Sequence, residues 1–142
     1  MRISKKNPLV GLVAILVALT PAHAELSSKR YTFSKNKVLP LSVTVGEVEV
    51  RSILFEFPSS VLGFRGSNRA KVKVVNGGSE TVRIGLGIAL FDHADNLVGV
   101  SSGGNKGVRL KPGAEVDYSL PFHFLTDNVE NAASFFLSIE TS

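Results

Sequence analysis

Apolar and polar residues alternate with a period of two along most of the chain beyond residue 37. That period puts one face of an extended strand into a core and leaves the other in water. It is most regular between Ala70 and Val100. Val72 and Val74 alternate with Arg69, Lys71 and Lys73, and Asn76-Gly77-Gly78 marks a turn. Val82, Ile84, Leu86, Ile88 and Leu90 then hold the period without a break. Asp92 to Asn96 is rich in turn formers, and Leu97 to Val100 makes a short following strand. Together these segments predict a β-meander.

The same pattern extends to both sides. Leu41, Val43 and Val45 alternate with Ser42 and Thr44, and after Gly46 the period resumes as Val48 and Val50. At Arg51-Ser52 the parity shifts, since the next apolar set is Ile53, Phe55 and Phe57. One extra residue there, as a β-bulge or a crossing between sheets, returns both sets to the core. Pro58 ends the run, and Ser59 to Asn68 reads as a connection in which Val61, Leu62 and Phe64 pack as a lid. Ser101 to Gly107 reads as a flexible loop, and Lys111-Pro112-Gly113 places Pro and Gly as a type II turn requires.

Beyond that turn Val116, Tyr118, Leu120, Phe122 and Phe124 alternate with Glu115, Asp117, Ser119, Pro121 and His123. Pro121 cannot donate to a ladder, which predicts an edge strand or an outward-facing position. Thr126 to Ala133 has room for one helical turn, and Phe135, Leu137 and Ile139 form the last strand. Residues 25–37 differ: polar and basic side chains surround only Tyr31 and Phe33, so this segment is expected to be a flexible N-terminal arm. The sum is an all-β fold, a single antiparallel β-sandwich of seven or eight strands over residues 38–142.

Composition changes this picture in three ways. A chain of 142 residues is one domain's worth. Residues 1–24 carry Arg2, Lys5 and Lys6, the apolar run Leu9 to Leu19, and Ala22-His23-Ala24 ahead of Glu25, the layout of a cleaved signal peptide. The run is shorter than the roughly 20 residues of a spanning helix, so no integral anchor is expected after cleavage. Without Arg2, Lys5 and Lys6 the 16 basic residues become 13 against 12 acidic ones, and the formal charge falls from +4 to nearly neutral. With no cysteine, disulfides, thiol catalysis and cysteine metal sites are excluded. A periplasmic or secreted bacterial protein whose core stands without disulfides follows as the expectation.

Ile88-Ala89-Leu90-Phe91-Asp92, preceded by Val75-Asn76 and followed by Leu110-Lys111-Pro112-Gly113 and Glu115, resembles the immunoglobulin-like sandwich domains of bacterial envelope proteins, closest to the FxLYD type. The resemblance covers about residues 70–124 and departs at Ile88, where the pattern has Phe, and at Phe91, where it has Tyr. It implies an immunoglobulin-like fold and an extracytoplasmic accessory or adhesion-like role, with no common catalytic set.

Candidate chemistry is sparse. A serine nucleophile needs a base and an orienting acid. After residue 24 only His93, in a turn, and His123, on a wet strand face, offer imidazole, and no G-x-S-x-G occurs. Asp92, His93 and Asp95 could face one cation, but turn residues of this kind equally satisfy their own backbone. Ser101 to Gly107 with Lys106 lacks the order of a phosphate loop. No catalytic residue, metal site or cofactor is predicted, so an enzyme is not expected.

The remaining candidate is a basic stripe. If Asn76 to Glu80 closes a hairpin, Lys73 lies opposite Arg83, Lys71 opposite Gly85 and Arg69 opposite Gly87, all pointing outward. Arg69, Lys71, Lys73 and Arg83 would then suit an anionic envelope component or an acidic protein surface. Equally, lysines guard sheet edges against aggregation. Exposed aromatic platforms for sugars are few, and near-neutrality argues against nucleic acid. The expected function is a non-enzymatic binding or adaptor module for another envelope component. The alternative is a structural or assembly subunit that associates by β-strand addition, through an unpaired strand or the 25–37 arm.

Overall fold

Among the described residues the chain forms eight strands: β1 (Glu25–Thr32), β2 (Val38–Val45), β3 (Val48–Glu56), β4 (Arg69–Asn76), β5 (Ile84–Phe91), β6 (Leu97–Gly104), β7 (Glu115–Pro121) and β8 (Ser134–Thr141). A 3-10 turn, Val129–Asn131, precedes β8. The computed structural model describes residues 25–57, 68–105, 107–123 and 129–142. The expected leader at 1–24, the lid residues Val61, Leu62 and Phe64, and Lys106 and Phe124 lie outside the described residues.

The strands build two four-stranded sheets, ordered β1-β8-β5-β6 and β2-β3-β4-β7, with every neighbouring pair antiparallel. Each sheet has one apolar face, and the two apolar faces close on each other as a β-sandwich. Val72 and Val74 from one sheet and Ile84, Leu86, Ile88 and Leu90 from the other are all buried. Phe55 of β3 meets Phe135 of β8 with ring centroids 4.9 Å apart, and Phe33 packs 4.7 Å from Phe55, so aromatic contacts link the sheets directly.

The parity shift in β3 is a bulge. Val50 pairs with Val74 and Ser52 with Lys73, which leaves Arg51 without a partner in that ladder. Val48, Val50, Ile53 and Phe55 are consequently all at most 1% exposed. The Lys111-Pro112-Gly113 turn closes as expected: Ala114 N donates to Lys111 O at 3.1 Å, and Gly113 adopts φ +69°, which a side chain would resist. Pro121 ends β7, an edge strand.

Three expectations are corrected. Residues 25–32 are not a loose arm but strand β1, paired with β8 from Glu25↔Thr141 to Thr32↔Ser134. Their main-chain ladder with β8 needs no apolar alternation, and Tyr31 packs against the core from this strand. Ser101–Gly104 is not loop but the second half of β6, paired with β5 from Ser101↔Ile88 to Gly104↔Gly85. Gly104 sits at φ +143°, where a β-carbon would collide with the Ile84 carbonyl oxygen, so glycine is required there.

Third, β4 and β5 do not form a hairpin, because they belong to different sheets. Asn76 is the cause. Its side chain, fully buried, donates to Glu80 O at 2.7 Å and to Leu110 O at 3.0 Å and accepts from Gly78 N at 3.0 Å. Its backbone meanwhile pairs with Gly113 N and Ala114 O. The chain is thereby turned out of one sheet toward the other, and β4 takes β7 as its second neighbour.

Candidate functional site

With β4 between β3 and β7, the basic stripe has other neighbours than a hairpin would supply. Lys73 lies between Ser52 and Asp117, Lys71 between Leu54 and Ser119, and Arg69 between Glu56 and Pro121. Each cation has an acid within reach. Glu56 receives Arg69 Nε at 2.5 Å and Lys71 Nζ at 2.7 Å. Glu115 receives Lys73 Nζ at 2.9 Å and an Arg51 guanidinium nitrogen at 3.0 Å. Asp117 also takes Lys73, at 3.3 Å, and Glu49 takes Arg51 Nε at 3.2 Å.

The outer face of this sheet is therefore a ladder of alternating sign. Lys71 and then Arg69 hold the Glu56 carboxyl below its ordinary range, and Lys73 does the same for Glu115. Glu115 and Asp117 in turn raise the Lys73 ammonium above its ordinary value. Arg83 is not part of this face: it follows Val82 and precedes β5, and its backbone pairs with Ser142. Gly85 and Gly87 pair with Glu140 and Ser138 of β8 rather than lying under lysines. Arg69, Lys71 and Lys73 come together, Arg83 does not, and the three that do are met by carboxylates.

The 92–96 segment is a turn held by its own side chain. The Asp92 carboxylate accepts from Ala94 N at 2.8 Å, Asn96 N at 2.9 Å and Asn96 Nδ2 at 3.0 Å. These bonds, led by the Asn96 side chain, hold Asp92 below the ordinary carboxylate range. The Asp95 carboxylate pairs with Arg30 of β1 at 2.7 Å. His93 and His123 are exposed.

The two sheets leave four edges, β1, β6, β2 and β7. An edge presents unpaired N–H and C=O groups to any strand that fits, and charge or proline normally blunts it. β1 carries Lys29 and Arg30, β2 carries Pro40, and β7 carries Glu115, Asp117 and Pro121. β6, Leu-Val-Gly-Val-Ser-Ser-Gly-Gly, has neither charge nor proline, and Leu97 and Val100 stand 54% and 55% exposed on it.

Beside this edge a cleft of about 630 Å³ opens between β6 and β7, walled by Val100 to Gly104 on one side and by Asp117, Tyr118 and Ser119 on the other. Ser101 Oγ donates to Pro121 O at 2.7 Å and closes one end. Gly103 lets β6 approach β7, since a β-carbon there would lie 3.2 Å from Leu120. Tyr118 is half-buried at the wall, and burial pushes its phenol above the ordinary value. Alternation could not announce this site, because serines and glycines mark no face. Compared with known proteins, the chain matches no protein-family model and no curated protein.

Proposed function

We propose that the chain is an exported, non-enzymatic interaction module of the bacterial envelope, and that it engages another envelope component by accepting an extended strand along β6. The observation that carries this reading is the uncharged, proline-free β6 edge with the cleft alongside it. Main-chain hydrogen bonds to β6 would supply affinity, and the cleft between Val100 and Tyr118 would take alternate side chains of the incoming strand. The leader-like residues 1–24 and the resemblance to FxLYD-type domains support the compartment and the accessory role.

The basic face gives weaker support for an anionic partner, because Glu56, Glu115 and Asp117 already answer Arg69, Lys71 and Lys73. Affinity capture from envelope extract separates the two surfaces. Val100→Lys with Ser102→Lys places charge on the edge and is expected to lose the captured component. Lys71→Glu with Lys73→Glu is expected to keep it. The reverse pattern would return the site to the basic face.

A further inference from the structure

β1 is held differently from every other strand. Each of β2 to β8 contributes at least one buried hydrophobic side chain to the core, whereas among the described side chains of β1, Ser27 to Thr32, none is buried. Tyr31 is half-buried and stacked on Phe135 at 5.3 Å. Arg30 lies on the outer face, 5.0 Å from the Phe91 ring and 5.2 Å from the Phe136 ring, and pairs with Asp95. The main-chain ladder with β8 runs the whole length of β1.

β8 does not depend on that ladder. Its other side pairs with β5 from Ser134↔Phe91 to Thr141↔Ile84, and Phe135, Leu137 and Ile139 are buried to within 1%. Without β1 it would still stand in its sheet, now with a bare edge and alternating apolar residues. The chain behind β1 is anchored as well. Phe33 N donates to Ala133 O, Asn36 N donates to Phe55 O, and the Asn36 amide grips the backbone of Phe57. Asn36 sits in the left-handed region at φ 54°, which asparagine tolerates better than most residues. Release therefore concentrates at the Thr32–Phe33 junction.

We infer that β1 is an exchangeable strand, and that the β1 of a second copy of this chain takes the same place on β8. The complementarity is the one already present within a copy: the same register, the same Tyr31–Phe135 stack and the same Arg30–Asp95 pair, with donor and acceptor on different molecules. A short connection beside a strand whose described side chains are not fully buried is where exchange of an identical element between copies is a low-cost route to a dimer. Because bonds broken and made are the same, exchange is governed by protein concentration against the local concentration of the tethered strand. The surface used is β8, so this association is separate from strand acceptance at β6.

The absence of native cysteine makes the test direct. Ser28→Cys and Ser138→Cys face each other in the register. The two single variants are purified, mixed at rising concentration, oxidised mildly and run without reductant. The expected product is a disulfide-linked dimer that needs both cysteines and grows with concentration and time of mixing. It should exceed the background from Ser28→Cys mixed with Ser42→Cys, a position on β2. Thr32→Cys with Ser134→Cys, also partners in the register, repeats the test should either first variant fold poorly. A mixture that gives no more dimer than the Ser42 control in both pairs overturns the inference.

Discussion

Asn76 carries the change of sheet, and its replacement by alanine tests that role. Three side-chain hydrogen bonds disappear: two donated, at 2.7 and 3.0 Å, and one accepted, at 3.0 Å. A net value of about 1 kcal/mol each sets a cost of roughly 3 kcal/mol. Two details reduce it. Leu110 O keeps Val82 N as a partner at 3.0 Å, and Glu80 belongs to an exposed stretch where water can replace the amide. The expected loss is therefore about 2 kcal/mol, read as a lower midpoint in urea with an unchanged slope.

Asn76→Asp sharpens the test. It keeps the acceptor for Gly78 N but turns a carboxylate toward two carbonyl oxygens, so at neutral pH it should cost more than alanine. Burial and those oxygens raise the folded-state pKa of the new acid above its unfolded value, so the penalty shrinks as pH falls. A loss under about 0.5 kcal/mol for Asn76→Ala, well below the usual cost of a buried hydrogen-bonded group, would refute the claim that this side chain directs β4 and β5 into different sheets.

Two further predictions concern β3 and its outer face. Deleting Arg51 removes the bulge and forces either the Val48/Val50 set or the Ile53/Phe55 set to the solvent side; circular dichroism and calorimetry should show loss of the cooperative transition, whereas Arg51→Ala, which keeps the extra residue, should remain folded. The ion-pair ladder predicts a pH profile. Glu56 and Glu115 have folded-state pKa values below their unfolded ones, so their contribution is present above the ordinary carboxylate range and is lost as pH falls through the lowered values. Lys73, shifted upward, adds stability that persists below its ordinary value and is lost as strong alkali titrates it. Because these groups are exposed, high salt should flatten the acid limb, and an acid limb unaltered in Glu56→Gln would contradict the assignment.

Much of the fold is legible in the sequence because buried positions announce themselves. The alternation of Ile84 to Leu90, the parity shift at Arg51 and the Pro112-Gly113 turn each reflect a local steric or burial requirement. The illegible parts are held by groups that leave no side-chain pattern. β1 is kept by main-chain bonds to β8, the end of β6 is serine and glycine, and Asn76 reads as a turn residue until its partners Glu80 and Leu110 are near it. The setting of the basic stripe was equally illegible. Its charge depends on which strand lies beside β4, and β7 brings Glu115 and Asp117 where β5 would have brought glycines.

The most direct test of strand acceptance at β6 is site-specific photocrosslinking in the producing cell, with a photoreactive residue at Val100 or Ser102 on the edge and at Lys73 on the opposite sheet's outer face. Adducts of one defined mass from positions 100 and 102, and none from 73, are the predicted result. Adducts from position 73 alone, or none from either edge position, would contradict the account.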